Sequence, residues 1–130
     1  MIGLFLMAQA MTLSLPLPPS DWTVLPPLRL AETPDYPAIM TKFVRDEVEA
    51  GRCAAPAPVA GKTTIRLDLI VLVATSTNQA LRVVPRAIHC PTVEQFAAGV
   101  VEKAARDNII GPAPGSDSWY HTGMTLTWSQ

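Results

Sequence analysis

One stretch limits this chain more than any other. From residue 65 to 73, Ile65, Leu67, Leu69, Val71 and Val73 alternate with Arg66, Asp68, Ile70 and Leu72. A strand places successive side chains on opposite faces, so the five odd positions form an apolar face. The even positions change character partway, from charged at Arg66 and Asp68 to apolar at Ile70 and Leu72. The second half of this strand therefore predicts cover on both faces. A lone strand cannot supply that cover, so the rest of the chain must.

The flanking segments provide it. Residues 34–53 predict a helix: Asp35 is a candidate cap, Pro37 suits a first turn, and Gly51 suits a stop. Met40, Phe43, Val44 and Val48 share one face, with Lys42, Arg45, Asp46 and Glu49 largely on the other. Residues 54–62 form an Ala/Pro/Gly loop. Thr75 to Gln79 predict a turn and Leu81 to Ile88 a second strand, paired as a hairpin with the first. Pro85 within it argues for an edge or a bulge, because proline cannot donate to a ladder. Residues 93–109 carry the stripe Val93, Phe96, Ala97, Val100, Val101, Ala104 and Ala105. Thr92 with Gln95 fits a capping box at its start, and Gly111-Pro112 an end. Trp119 to Trp128 predict a last strand, with Tyr120, Thr122, Met124, Leu126 and Trp128 on one face and His121, Gly123, Thr125 and Thr127 on the other. The order helix-strand-strand-helix-strand predicts an α+β domain over residues 34–130: a small three-stranded antiparallel sheet with two helices packed on one face.

Composition agrees with one folded domain. Of 130 residues, 48% are hydrophobic and 16% charged, which is too apolar for a disordered chain. The ten Lys and Arg are scattered and the net charge is −1, so nothing points to nucleic acid. Residues 11–33 hold five prolines between positions 16 and 27. This makes the segment extended, either disordered or a strap lying on the domain. Residues 1–7, MIGLFLM, are nearly all apolar, and Ala8-Gln9-Ala10 has the small-x-small form of a secretory cleavage site. A basic region and a longer apolar run are missing. The expectation is that residues 1–10 are the remnant of a signal peptide, with a mature, periplasmic chain beginning near Met11. A stable membrane span is not expected, since one needs about 20 apolar residues and Pro16 to Pro19 interrupt this run.

From Tyr36 onward the order resembles the C-terminal domain of the TonB energy transducers and TonB-like periplasmic proteins. In that family a Tyr-Pro pair opens the domain, as Tyr36-Pro37 does here. A hairpin follows, matched by TTIRLDLIVLVATSTNQALRVVPRAI. Next come an Ala/Val-rich helix, matched by TVEQFAAGVVEKAARDNI, a proline-containing link and a closing strand, WYHTGMTLTW. The chain departs from the family by inserting a helix of about four turns after Tyr36-Pro37. It also has two cysteines that are no family hallmark, and neither a membrane anchor nor a Pro/Lys and Pro/Glu spacer is expected from these residues. The resemblance implies at most a non-enzymatic periplasmic domain that binds an envelope protein or an extended peptide through an edge strand.

The candidate chemistry is sparse. Cys53 and Cys90 are expected to form a disulfide if the protein is exported, contributing roughly 3–4 kcal/mol by loop closure; no Cys-x-x-Cys supports a redox role. His89 beside Cys90 is not expected to act as a base, because neighbours on a strand point apart. Cys53, His89, Cys90 and His121 lack zinc-ligand spacing. Gly61-Lys62-Thr63-Thr64 is not a phosphate loop: Pro56 stands where the motif needs glycine, and a strand follows instead of a helix. No catalytic residue, metal site or cofactor is predicted. Trp119, Tyr120, His121 and Trp128 are the candidate partner-binding residues, set against plain core packing of the aromatics. The alternative function is a disulfide-stabilised envelope protein with a structural or small-ligand role. A small enzyme is the third reading, disfavoured because no nucleophile–base pair is apparent.

Overall fold

A computed structural model describes residues 15–111 and 115–129; the proposed signal remnant and mature start at Met11 lie outside them, as does Pro112. The elements are a short 3-10 turn (Trp22–Val24), α1 (Tyr36–Glu49), β1 (Lys62–Val73), β2 (Ala80–Pro85), α2 (Pro91–Ala105) and β3 (Ser118–Ser129). The sheet is antiparallel in the order β2-β1-β3, and both helices lie on its inner face. The fold is the predicted α+β arrangement.

β1 is central, paired with β2 on one edge and β3 on the other, and its second half is buried on both faces. Its odd residues Ile65 to Val73 meet Tyr36, Met40 and Val44 of α1, Val93, Ala97 and Val101 of α2, and Met124, Leu126 and Trp128 of β3 in one core. Its even residues Ile70 and Leu72 form a second, smaller cluster on the outer face with Trp119, Trp22, Leu25 and Val84. The change of pattern after Asp68 thus marks where the N-terminal segment covers the sheet.

That segment is a strap. Trp22 and Leu25 lie on the outer face; then Pro26–Leu28 pass along the edge of β3. The His121 N–H donates to Pro26 C=O at 2.9 Å, and the His121 C=O accepts from the Leu28 N–H at 2.7 Å, a parallel bridge. Further on, Ala31 N–H donates to Asn108 C=O, Ile110 N–H donates to Arg29 C=O, and the Asn108 side chain bonds both backbone groups of Glu32.

Several boundaries differ from expectation for local reasons. α2 starts at Pro91 with Cys90 as its N-cap. Glu94, rather than a Thr92–Gln95 box, reaches back to the Cys90 N–H (3.0 Å) and the Ile88 N–H (3.2 Å). The same helix ends at Ala105, before Gly111, because Asp107 is left-handed (φ 51) and the Asn108 side chain takes the Ala104 carbonyl. β2 ends at Pro85 instead of Ile88: Arg86 N–H makes the last bond to β1, at Asp68 C=O, and His89 turns to a φ of 59. α1 starts at its expected Asp35 cap, which accepts from the Ala38 N–H, but it ends at Glu49 rather than 53, and Gly51 (φ 78) turns the chain just beyond. The Tyr36 hydroxyl is buried without a partner among the described residues, and burial pushes its phenol above the ordinary range.

Candidate functional site

Cys53 and Cys90 are bonded, with Cα atoms 5.0 Å apart and 37 positions apart in sequence. The link joins the end of α1 to the start of α2, which packs over β2, and both sulfurs are buried. With its sulfur in the bond, Cys90 is not a free thiol for His89 to activate. His89 also stands outside β2, so the strand argument for separating the two does not apply. A polar group supports this corner. Glu47, only 7% exposed, accepts two hydrogen bonds from Arg52 (2.8 and 3.0 Å) and one from the Thr92 hydroxyl (2.8 Å). Those bonds, Arg52 first, hold its carboxyl below the usual range despite the cost of burial. Glu47 has no place in the sequence reading, because an acid next to Asp46 on an amphipathic helix looks like part of the solvated face.

The four candidate partner residues separate in space. Trp128 is in the main core and Trp119 in the outer cluster, each under a tenth exposed. Tyr120 is half-buried on the inner face opposite Val71. His121 lends its backbone to the strap. Among the described residues no group of three or more His, Cys, Asp or Glu could hold a metal, and no helix is long and apolar enough to cross a membrane.

The strands' hydrogen-bonding groups define a different site. In an antiparallel ladder a residue turns both its N–H and C=O to the same neighbour, and successive residues alternate sides. His121 turns its groups away from β1, toward the strap. Gly123, Thr125 and Thr127, in the same unbroken register with β1, therefore also turn theirs outward. Among the described residues they have no backbone partner. Gly123 to Ser129 carries no charge and no proline. β2, the other edge, is six residues long, carries Arg82, ends on Pro85, and has a register shift opposite Leu72 and Val73.

Side chains beside the open edge are ordered. The Thr64 and Thr127 hydroxyls are 3.1 Å apart. Arg66 bonds Asp68 at 3.0 Å and Thr125 at 3.2 Å. Gly123 is needed there: a Cβ would lie 2.8 Å from Arg66 Nη2 and 2.9 Å from the Leu67 carbonyl. Glycine within a strand signals a close approach of this kind, and that signal was readable in the sequence; the Arg66 crossing was not.

A second surface lies between the helices. Phe43 and Phe96 stack with centroids 4.5 Å apart. Ile39, Phe96, Gly99, Val100 and Ala104 line an open apolar groove of about 730 Å³. Phe96 and Val100 belong to the predicted stripe of α2, yet the positions it buries fully are Val93, Ala97, Val101 and Ala105.

No family model, curated protein or solved structure gives a significant match to the chain.

Proposed function

We propose that this protein is a periplasmic, non-enzymatic binding domain that accepts an extended segment of an envelope protein as a fourth strand on β3. The observation that carries the reading is the uncharged edge from Gly123 to Ser129, with three residues whose backbone groups face outward without a partner among the described residues. A long open edge is a hazard in a protein that leaves it bare, and strand addition is its common use. The strap supports the reading, since Pro26–Leu28 already pair with this edge at His121. The likeness in element order to TonB C-terminal domains agrees with it. The disulfide favours an oxidising compartment. Trp119 and Trp128, being buried, would fix the strand in place and leave recognition to the backbone and to shorter side chains.

The test is selection of a random heptapeptide library displayed on phage, against the wild type and Thr127→Pro. Proline here removes an outward N–H and leaves the β1 ladder intact. Heptapeptides enriched on the wild type and lost on the variant are expected, with slowed amide exchange at Gly123, Thr125 and Thr127 when they bind. Absence of enrichment, or equal enrichment on both proteins, overturns the reading. A second reading, a disulfide-stabilised envelope domain that takes a small ligand, is favoured by the groove between α1 and α2. It predicts quenching of a hydrophobic dye by Val100→Trp, unaffected by Thr127→Pro.

A further inference from the structure

The open half of β3 has a charged neighbour on its outer face. Arg66 stands opposite Thr125, and its side chain lies across β3. Nε donates to Asp68 Oδ1 and Nη1 to Thr125 Oγ1. Nη2 rests over Gly123, in room that exists because the residue has no Cβ. Among the described residues Nη2 has no hydrogen-bond acceptor. Adjacent strands lie about 4.8 Å apart, so a side chain on an added strand would begin within reach of this group.

Arg66 also lines a shallow hollow of about 360 Å³ on the outer face, together with Arg86, Trp22, Asp68 and His121. The Arg86 guanidinium sits 4.6 Å from the centroid of the Trp22 ring, so the strap holds it in place. Asp21 feels Arg86 from outside the hollow, but its carboxylate is engaged by the Thr23 N–H and hydroxyl. The lining itself sets two arginines against one aspartate.

We infer that the segment accepted on β3 is acidic on its outer face, placing an Asp or Glu side chain opposite Gly123 against Arg66 and Arg86. This rests on the strand-addition reading and names the chemistry of its partner. A second copy of this chain fits poorly. Pairing two β3 edges about Thr125 would bring both Arg66 side chains toward the symmetry axis, and β3 from Gly123 to Ser129 has no acid to answer them. Like charges facing across strands repel. The same charge that opposes self-pairing attracts an acidic strand.

The heptapeptides that depend on the intact β3 edge are the probe. They are expected to carry Asp or Glu at an outer-face position. A synthetic version with Glu changed to Gln should bind the wild type about tenfold more weakly, the scale of one charge-assisted hydrogen bond. On Arg66→Gln the Glu and Gln peptides should bind within about twofold of each other, and Arg86→Gln should narrow the gap partway. Both arginines are on the surface, and melting curves check that the variants fold. Edge-dependent peptides that are neutral or basic at that position, or an unchanged Glu preference on both variants, would overturn the inference and leave strand addition standing. Failure to select any edge-dependent peptide removes both.

Discussion

Along β2, an approaching strand meets Arg82, a register shift and, at Pro85, a residue with no N–H to offer. Along β3 it meets the strap as far as Leu28 and then seven uncharged residues with regular outward N–H and C=O groups. The first edge is closed by its own residues. The second is closed over part of its length by a distant segment and is open over the rest. Charge, proline and irregularity are the ordinary means of blunting an edge. They are concentrated on the short strand and absent from the long one, so the strand addition proposed above would fall on β3.

The largest effect should test how the closed side is secured. Reducing the disulfide, or replacing Cys53 and Cys90 with Ser, is expected to lower stability by roughly 3–4 kcal/mol in urea unfolding. Amide exchange should rise first around β2 and the end of α1, with β1–β3 amides protected longest; uniform loss would erase the contrast between the two sides. Next, Trp22→Ala should cost about 1–2 kcal/mol, since the ring is only half-buried. It should also redden Trp119 emission and lengthen the open edge to include His121. Gly123→Ala should cost about 1–2 kcal/mol by overpacking against Arg66 and the Leu67 carbonyl, measured by thermal unfolding. Pro85→Val should change stability by under about 0.5 kcal/mol while increasing self-association in sedimentation, because it restores an outward donor to β2. If the variant stays as monodisperse as the wild type, Pro85 is not what closes that edge.

A pH profile examines the corner that holds the disulfide. The Glu47 carboxyl has a folded pKa below its unfolded value of about 4.5. The unfolded chain therefore binds more protons near and below that pH. The contribution of Glu47 is present above about pH 4.5 and is lost as pH falls through the folded value. Glu47→Gln should be less stable at neutral pH and should show a shallower loss of stability in acid.

Much of the fold was legible in the residues. The alternation of Ile65 to Val73, the stripe of α2 and the Asp35–Gly51 punctuation of α1 each state a local preference that packing then satisfied. So did the double-sided run at Ile70 and Leu72, which announced cover without naming it. What covers them is the strap, and only tertiary structure brought Trp22 and Leu25 there. Phe96 and Val100 have the periodicity of core residues yet line a groove, because the 3.6-residue repeat reports a face and not what lies against it. Of the aromatics of β3, the visible candidates for a binding surface, Trp119 and Trp128 are buried and Tyr120 is half-buried. The open edge at Gly123, Thr125 and Thr127 belongs to the backbone, whose chemistry is the same at every residue and so leaves no trace in composition. The residues alone determined which segments become strands and helices, since that depends on neighbours a few positions away. Which edge stays open, and which arginine crosses it, depended on segments tens of residues apart, and only the assembled fold decided that.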